Sequence, residues 1–142
     1  MQKVYVVYWS GTGNTQAMAD AIGAGAKDAG AEVEVVEVDS ANADDILAQP
    51  GFALGCPSMG AEELDESMED FVASIEGKVS GKQIVLFGSY GWGDGEWMRT
   101  WTDRMTGAGA TVVGGEGVIA NETPDDDAVE ACKAAGKTLA GL

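Results

Sequence analysis

The sequence contains no histidine and only two cysteines among its 142 residues. Histidine is the commonest general base and the commonest metal ligand, so its absence argues against hydrolytic catalysis. Cys56 and Cys132 lie far apart and form no C-x-x-C pattern. Two thiolates are too few for an iron-sulfur cluster or a zinc site. Both cysteines are therefore expected to be free thiols, one of them buried.

Long apolar runs are also missing. No stretch approaches the roughly 18 to 20 apolar residues that a membrane span requires. The N-terminus leads directly into Val4–Val7 without the layout of a signal peptide. A cytoplasmic protein is predicted, and the length of 142 residues suits one domain over residues 1–142.

Basic residues are scarce. The chain has 24 carboxylates against 8 lysines and arginines, for a formal net charge of −16, and no basic residue lies between Lys27 and Lys78. Such a surface repels nucleic acid and anionic membranes. It favours partners with basic docking patches. Solubility or adaptation to salt is the simpler interpretation of the acidity taken alone.

Hydrophobic patterning predicts strands that alternate with helices. Continuous apolar runs at Val4–Trp9, Phe52–Cys56 and Gln83–Gly88 suit buried parallel strands, whereas the alternating segment Glu32–Val38 suits an edge strand. A last strand at 111–113 and 117–119 is interrupted by glycines. Helices are predicted at 15–30, 43–48, 67–79, 96–106 and 125–142.

This alternation predicts an α/β fold with a doubly wound, five-stranded parallel sheet and helices on both faces. Ligands of such sheets bind outside the carboxyl ends of the strands. The loops after strands one, three and four are therefore the candidate site. They are also the most unusual stretches of the sequence, at 10–15, 57–66 and 89–94.

The first loop predicts a phosphate-binding turn. Gly11 and Gly13 allow a tight bend between a buried strand and a helix, whose first amides point toward a ligand. The loop lacks the lysine of a P-loop and the third glycine of the dinucleotide motif, which disfavours nucleoside triphosphates and NAD. Its neutral donors suit a phosphate monoester, although a structural turn remains the alternative. The side-chain donors are Ser10, Thr12, Asn14 and Thr15.

The loop after strand four places Trp92 among Gly91, Gly93 and Gly95. Glycines let backbone amides approach a flat ligand closely, and a loop tryptophan with little to pack on is a candidate stacking platform. The alternative is that Trp92 covers the sheet edge. The remaining tryptophans lie within regular elements and are assigned to packing: Trp9, Trp97 and Trp101.

The loop after strand three combines Met59, Gly60, Ala61 and Glu62. Met59 is a candidate to pack on the other face of a flat ring. Glu62 is a candidate to accept a hydrogen bond from a ring imide. Its alternative role is membership of the solvated acidic run over residues 62–70.

Together, three segments resemble the flavin loops of the flavodoxins, specifically the short-chain type of anaerobic bacteria. They are Tyr8–Thr15, Gly55–Gly60 and Phe87–Gly95. Each motif alone is weak to moderate, but the combination is specific, and the resemblance runs essentially from end to end. It implies a flavodoxin-like sheet with strand order 2-1-3-4-5.

The resemblance also implies non-covalently bound FMN. The phosphate would lie on residues 10–15 and the ring between Met59 and Trp92, with Glu62 bonded to the flavin N3–H and the backbone of residues 89–91 at the pyrimidine edge. Pro57 and Ala61 stand where relatives often carry polar residues. The expected cofactor-binding residues are Ser10, Gly11, Thr12, Gly13, Asn14, Thr15, Pro57, Ser58, Met59, Gly60, Ala61, Glu62, Ser89, Tyr90, Gly91, Trp92 and Gly93.

The implied function is that of a low-potential, one-electron carrier without substrate turnover of its own. The resemblance implies redox enzymes with basic docking surfaces as partners, such as ferredoxin-type reductases, hydrogenases or pyruvate oxidoreductases. Carboxylates around a reduced, anionic ring would lower its second reduction potential. A monomer that binds neither nucleic acid nor membrane is expected.

Two alternatives remain at this point. An FMN-dependent NAD(P)H quinone or azo reductase would need room above the ring, and the sequence has no candidate nicotinamide-binding segment. A phosphoacceptor signalling domain would need an aspartate at a strand end, whereas strand three ends in Gly55–Pro57.

Overall fold

The computed structural model describes residues 3–11, 13–58, 63–91 and 95–142. Six strands are present in this part of the chain: β1 (Lys3–Tyr8), β2 (Glu32–Glu37), β3 (Gly51–Gly55), β4 (Gln83–Tyr90), β5 (Thr111–Val112) and β6 (Val118–Asn121). The α-helices are α1 (Asn14–Asp28), α2 (Ala43–Leu47), α3 (Glu66–Ile75), α4 (Glu96–Gly107) and α5 (Asp126–Ala140).

All strands pair in parallel, in the order β2-β1-β3-β4-β5, with β6 also paired to β4. The predicted doubly wound sheet and its strand order are thereby confirmed. β5 and β6 share the fifth position, because the register pairs Gln83 with Thr111 at one end of β4 and Tyr90 with Asn121 at the other. The glycine-interrupted last strand is confirmed, and its second half lies at 118–121 instead of 117–119.

β4 continues to Tyr90, two residues beyond the predicted end at Gly88. The reason is a partner that sequence periodicity does not reveal: Ser89 lies opposite Ala120 in β6. Ser89 and Tyr90 are therefore strand residues, and the loop that follows begins at Gly91.

The sheet separates two apolar cores. One face carries Val4 and Val6 of β1 against α1 and α5, and the other carries Tyr5 and Val7 against α2, α3 and α4. This division follows from the alternation of side chains along a strand. The stripe of α1 that faces the first of these cores, formed by Met18, Ile22 and Ala26, has no exposed surface: Met18 0%, Ile22 0% and Ala26 0%.

No helix in the described ranges has the length and apolar character needed to cross a membrane.

Two glycines let α1 and α5 approach closely. A Cβ at Gly25 of α1 would overlap the carbonyl oxygen of Lys133, and a Cβ at Gly136 of α5 would overlap the carbonyl oxygen of Ile22. The sequence presents Gly25 as a helix-weakening residue, because glycine has low helix propensity. Its structural role is this backbone contact between the helices.

Replacement of Gly136 by alanine is expected to lower the free energy of unfolding by roughly 1–3 kcal/mol, because the added methyl group forces α1 and α5 apart. Gly107→Ala is the matched control, since a Cβ there meets nothing within 4 Å at the end of α4. That variant should be neutral or stabilised by up to about 1 kcal/mol. Urea denaturation followed by circular dichroism measures both. Equal effects in the two variants would contradict the close contact.

Candidate functional site

A cavity of about 550 Å³ lies at the carboxyl edge of the sheet. This volume is in the range of small-molecule sites. Its walls come from the segments that follow β1, β3, β4 and β6, as the parallel topology requires. The lining residues are Trp9, Gly11, Asn14, Pro57, Ser58, Ser89, Tyr90, Gly91, Glu122 and Thr123.

Backbone hydrogen bonds continue the parallel ladder to this edge. They fix the position of the cavity walls relative to the sheet, because each bond joins a wall segment to a neighbouring strand or strand end. The amides of Trp9, Cys56, Ser58 and Glu122 donate to the carbonyl oxygens of Gly55, Phe87, Ser89 and Tyr90, at 3.0, 3.1, 3.0 and 2.7 Å respectively.

Ser10 organises the first turn. Its Oγ accepts hydrogen bonds from the amides of Gly13, at 3.0 Å, and Gln16, at 3.3 Å. Gly13 has φ 92° and precedes α1 without a side-chain cap. Because the oxygen of Ser10 is the acceptor in both bonds, its hydroxyl hydrogen remains to be donated to a ligand. The turn therefore presents a neutral donor at the positive end of a helix dipole.

Thr15 joins the first segment to β4. Its Oγ1 lies 3.1 Å from Ser89 Oγ and accepts the Ser89 amide at 3.3 Å. Both side chains are buried. The direct role of Thr15 in phosphate binding stays a prediction, and the structure gives its hydroxyl this bridging contact.

Thr15→Val keeps the shape of the side chain but removes the hydroxyl. It leaves the polar groups of Ser89 without this partner, which is expected to lower the free energy of unfolding by roughly 1–3 kcal/mol. The control is Thr138→Val, because Thr138 is exposed and its hydroxyl donates only within α5, to the carbonyl of Ala134 at 3.1 Å. Denaturant titration of the apoproteins compares the two, and a Thr15→Val loss no larger than that of the control would rule out the bridge.

Ser58 carries an unsatisfied hydroxyl. Its Oγ is buried and has no hydrogen-bond partner in the structure. A buried polar group without a partner costs roughly 1–3 kcal/mol. Since Ser58 lines the cavity, a ligand oxygen or N–H that reaches this hydroxyl would relieve the cost. The cavity wall therefore fits a polar part of a ligand at this point.

Aromatic side chains form another part of the wall. Tyr90 lies 5.6 Å from Trp97, with an interplanar angle of 51°, and also lines the cavity. Trp97 and Trp101 are buried packing residues, as predicted. Trp9 packs against the core, as predicted, and it also lines the cavity. It stands at the last position of the first apolar run, where a strand side chain meets the loops.

Glu122 and Thr123 are lining residues that the sequence analysis missed. Glu122 adopts a left-handed φ of 56°, and its amide bonds to Tyr90 at the end of β4. A non-glycine residue in this region carries a cost of about 1 kcal/mol. The signal available in the sequence was topological: the last strand of a parallel sheet also ends at the carboxyl edge, so its loop belongs with the other three.

The predicted cofactor residues are not all described. Thr12, Met59, Gly60, Ala61, Glu62, Trp92 and Gly93 lie outside the described residues, and their roles stay predictions. Ser10, Gly13 and Thr15 shape the first turn. The remaining predicted residues meet around one cavity: Gly11, Asn14, Pro57, Ser58, Ser89, Tyr90 and Gly91.

A second cavity, of about 530 Å³, lies between α3 and α4. Its charged wall includes Arg104, which bonds to Glu69 at 2.9 Å and to Glu76 at 2.7 Å. The bond to Arg104 lowers the pKa of Glu76. These contacts join α4 to α3 and to the turn that follows α3. The carboxyl-edge cavity is the candidate site, because predicted cofactor-binding residues line that cavity and, within the described ranges, none of them lines this one.

The fold and the site together indicate a class of protein. A doubly wound sheet, a turn with neutral donors at a helix N-terminus and a partly aromatic wall are typical of proteins that bind a flat, phosphorylated ligand.

Comparisons with known proteins agree with this class. The flavodoxin family model matches residues 6–136. A flavodoxin from Megasphaera elsdenii is 49% identical over 138 residues, covering 96% of this chain and 98% of that protein. One from Clostridium beijerinckii is 45% identical and covers 96% and 99%. The solution structure of two-electron reduced M. elsdenii flavodoxin superposes with a TM-score of 0.88 over 98% of this chain and 99% of that one.

The chain belongs to the flavodoxin family. It is accordingly an FMN-binding electron carrier that exchanges electrons with redox enzymes.

Proposed function

We propose that residues 1–142 act as one domain that holds a single, non-covalent FMN at the carboxyl-edge cavity and carries one electron at a time at low potential. The observation that carries this proposal is the convergence of four strand-end segments on one cavity of about 550 Å³. FMN supplies the one-electron chemistry when bound. The residues of this chain bind it, orient it and keep water from it.

The phosphate end of the proposed site is the turn from Ser10 to Thr15. It has no basic side chain in its sequence. Donation from the Ser10 hydroxyl and from amides at the start of α1 would therefore carry the binding of a dianion. Thr12 and Asn14 are proposed as further donors.

The other end of the proposed site holds the ring. Met59 and Trp92 are proposed to enclose its two faces and Glu62 to bind its imide, on the strength of the family resemblance. Pro57, Ser58, Tyr90 and Gly91 support this placement, because they line the same cavity. The unsatisfied Ser58 hydroxyl supplies a polar contact for the cofactor.

Low potential follows from the charges around the site. Among the described lining residues, the only charged side chain is the carboxylate of Glu122. Negative charge opposes the addition of electrons to a ring nearby. The formal net charge of −16 acts in the same direction.

We propose that the carrier has no substrate turnover of its own. Relatives that are 49% and 45% identical to this chain are flavodoxins, which favours this function over that of a quinone or azo reductase. Both cysteines are buried and free, which suits a reducing compartment such as the cytoplasm.

The proposed partners are redox enzymes with basic docking surfaces, of the hydrogenase, pyruvate oxidoreductase or ferredoxin-reductase type. The carrier is proposed to dock to them as a monomer. Glu63 and Glu66 support this proposal, because they are exposed at the start of α3. Arg104 pairs with Glu69 within α3 and with Glu76 just after it. The exposed carboxylates of Glu63 and Glu66 place negative charge next to the segment that follows β3.

The first test is titration of the apoprotein with FMN and with riboflavin, followed by quenching of flavin fluorescence. Ser10→Ala is expected to weaken FMN roughly tenfold or more, since bonds to charged groups contribute about 1.5–3 kcal/mol, and to change riboflavin little. Ser80→Ala, an exposed serine before β4 at the opposite sheet edge, is the control. Failure of the wild type to bind FMN would refute the proposed function, and equal losses for both ligands would place the phosphate elsewhere.

The second test concerns Glu122. Glu122→Gln removes one exposed negative charge and should raise the reduction potentials by roughly 20 mV, the value for a carboxylate about 8 Å away in a water-like dielectric. The shift should shrink at high salt. Glu32→Gln is the control, because it makes the same charge change at the amino end of β2. Spectroelectrochemical titration measures both, and equal shifts would show that only net charge matters.

A further inference from the structure

One thiol lies where both ends of the segment between β3 and α3 meet. Cys56 follows the last residue of β3, and its Sγ accepts a hydrogen bond from the amide of Asp65 at 3.2 Å. Asp65 is the N-cap of α3, where its carboxylate accepts the Ser67 amide at 2.9 Å. A single side chain therefore joins the start of segment 57–64 to its end.

The position of this sulfur is fixed by its surroundings. The Cys56 amide donates to the Phe87 carbonyl at 3.1 Å, and the Cys56 carbonyl accepts the indole N–H of Trp97 at 3.1 Å. A Cβ at Gly88 would overlap that same carbonyl oxygen, so β4 packs directly against it. Contacts with β4 and α4 thus hold Cys56 before any ligand binds.

The environment of Cys56 selects one chemical role. The side chain is fully buried, and burial raises the pKa of its thiol to about 12. A thiol of this kind stays protonated and neutral, so it is neither a ready nucleophile nor a metal ligand. What remains is a weak hydrogen-bond acceptor, and the Asp65 amide uses it.

We propose that Cys56 is a positioning residue of the FMN site, a proposal that rests on the proposed function. Its Sγ holds the two ends of segment 57–64 together in the free protein. Pro57 and Ser58, which line the cavity, are then presented to the ligand already ordered. Ordering a segment before binding removes part of the entropic cost of association.

The experiment compares three variants of the full chain by titration with FMN and with riboflavin. Cys56→Ala removes the acceptor, Cys56→Ser retains one, and Cys132→Ala is the matched control. Cys132 is also fully buried, and burial also raises its pKa to about 12, but it packs in the core on the other face of the sheet. A general effect of losing a buried thiol would therefore show in the control as well.

Cys56→Ala is expected to weaken FMN and riboflavin by the same factor, roughly threefold to tenfold, the range that one net hydrogen bond supplies. Cys56→Ser should stay within about twofold of the wild type, because its hydroxyl also accepts the amide. Cys132→Ala should bind both flavins like the wild type. An equal factor for both ligands locates the effect away from the phosphate.

A second pair of variants tests the donor without touching Cys56. Asp65→Pro and Asp65→Ala both lose the capping carboxylate, but only proline loses the amide, and the φ of −59° at this position suits proline. Asp65→Pro should therefore bind both flavins more weakly than Asp65→Ala does, by the same factor that is expected between Cys56→Ala and the wild type. This pair also decides the matter if Cys56→Ala does not fold.

Wild-type affinity for the flavins in Cys56→Ala would overturn the proposal. So would weaker binding by Cys56→Ser than by Cys56→Ala, because a purely apolar packing site would give that order. Equal affinities for the two Asp65 variants would also overturn it. A wild type that binds no FMN would instead refute the proposed function.

Discussion

The site depends on one constraint: all strands of the sheet run in the same direction. The carboxyl ends of β1, β3, β4 and β6 therefore meet at one edge, and the polypeptide that leaves each strand must satisfy backbone groups there. The four bonds that the amides of Trp9, Cys56, Ser58 and Glu122 donate do this. They extend the ladder just far enough to fix the cavity walls, and the two bonds to Thr15 Oγ1 and Cys56 Sγ add side-chain links between segments.

Two different electrostatic environments occur at the carboxyl edge of the sheet. The turn at Ser10 offers neutral donors at the positive end of a helix dipole, which favours a phosphate without a basic side chain. Glu122 places negative charge on the wall beyond β6. In the proposed placement of FMN, the neutral donors of the turn favour the phosphate, whereas the carboxylate of Glu122 opposes additional negative charge on the ring. A chain with a formal net charge of −16 would thus combine affinity for an anionic cofactor with a low reduction potential.

Much of the fold could be predicted from the sequence, because periodicity reports burial directly. The apolar residues of α1 recur at helical spacing, because one face of the helix is buried. The residues of β2 alternate in exposure, because β2 is an edge strand with one face toward solvent. The extension of β4 to Tyr90 could not, since it depends on β6, some thirty residues away. The Thr15 to Ser89 bond spans 74 residues and has no local pattern. Glu122 was not predicted as a lining residue for a different reason: its loop carries no glycine-rich motif.

The two cysteines show how position, more than residue type, decides the role of a buried side chain. Composition treats Cys56 and Cys132 alike, and burial raises both thiol pKa values to about 12. Cys132 lies within α5, where helix amides already have backbone acceptors, so its thiol is a small apolar group in a core. Cys56 lies one residue beyond a strand, where the amide that opens α3 has no helical partner. A sulfur accepts that amide while remaining cheaper to bury than a hydroxyl or a carboxylate. Cys56 thereby supplies a hydrogen-bond acceptor at the end of β3 without the burial of a strongly polar side chain in the adjacent core.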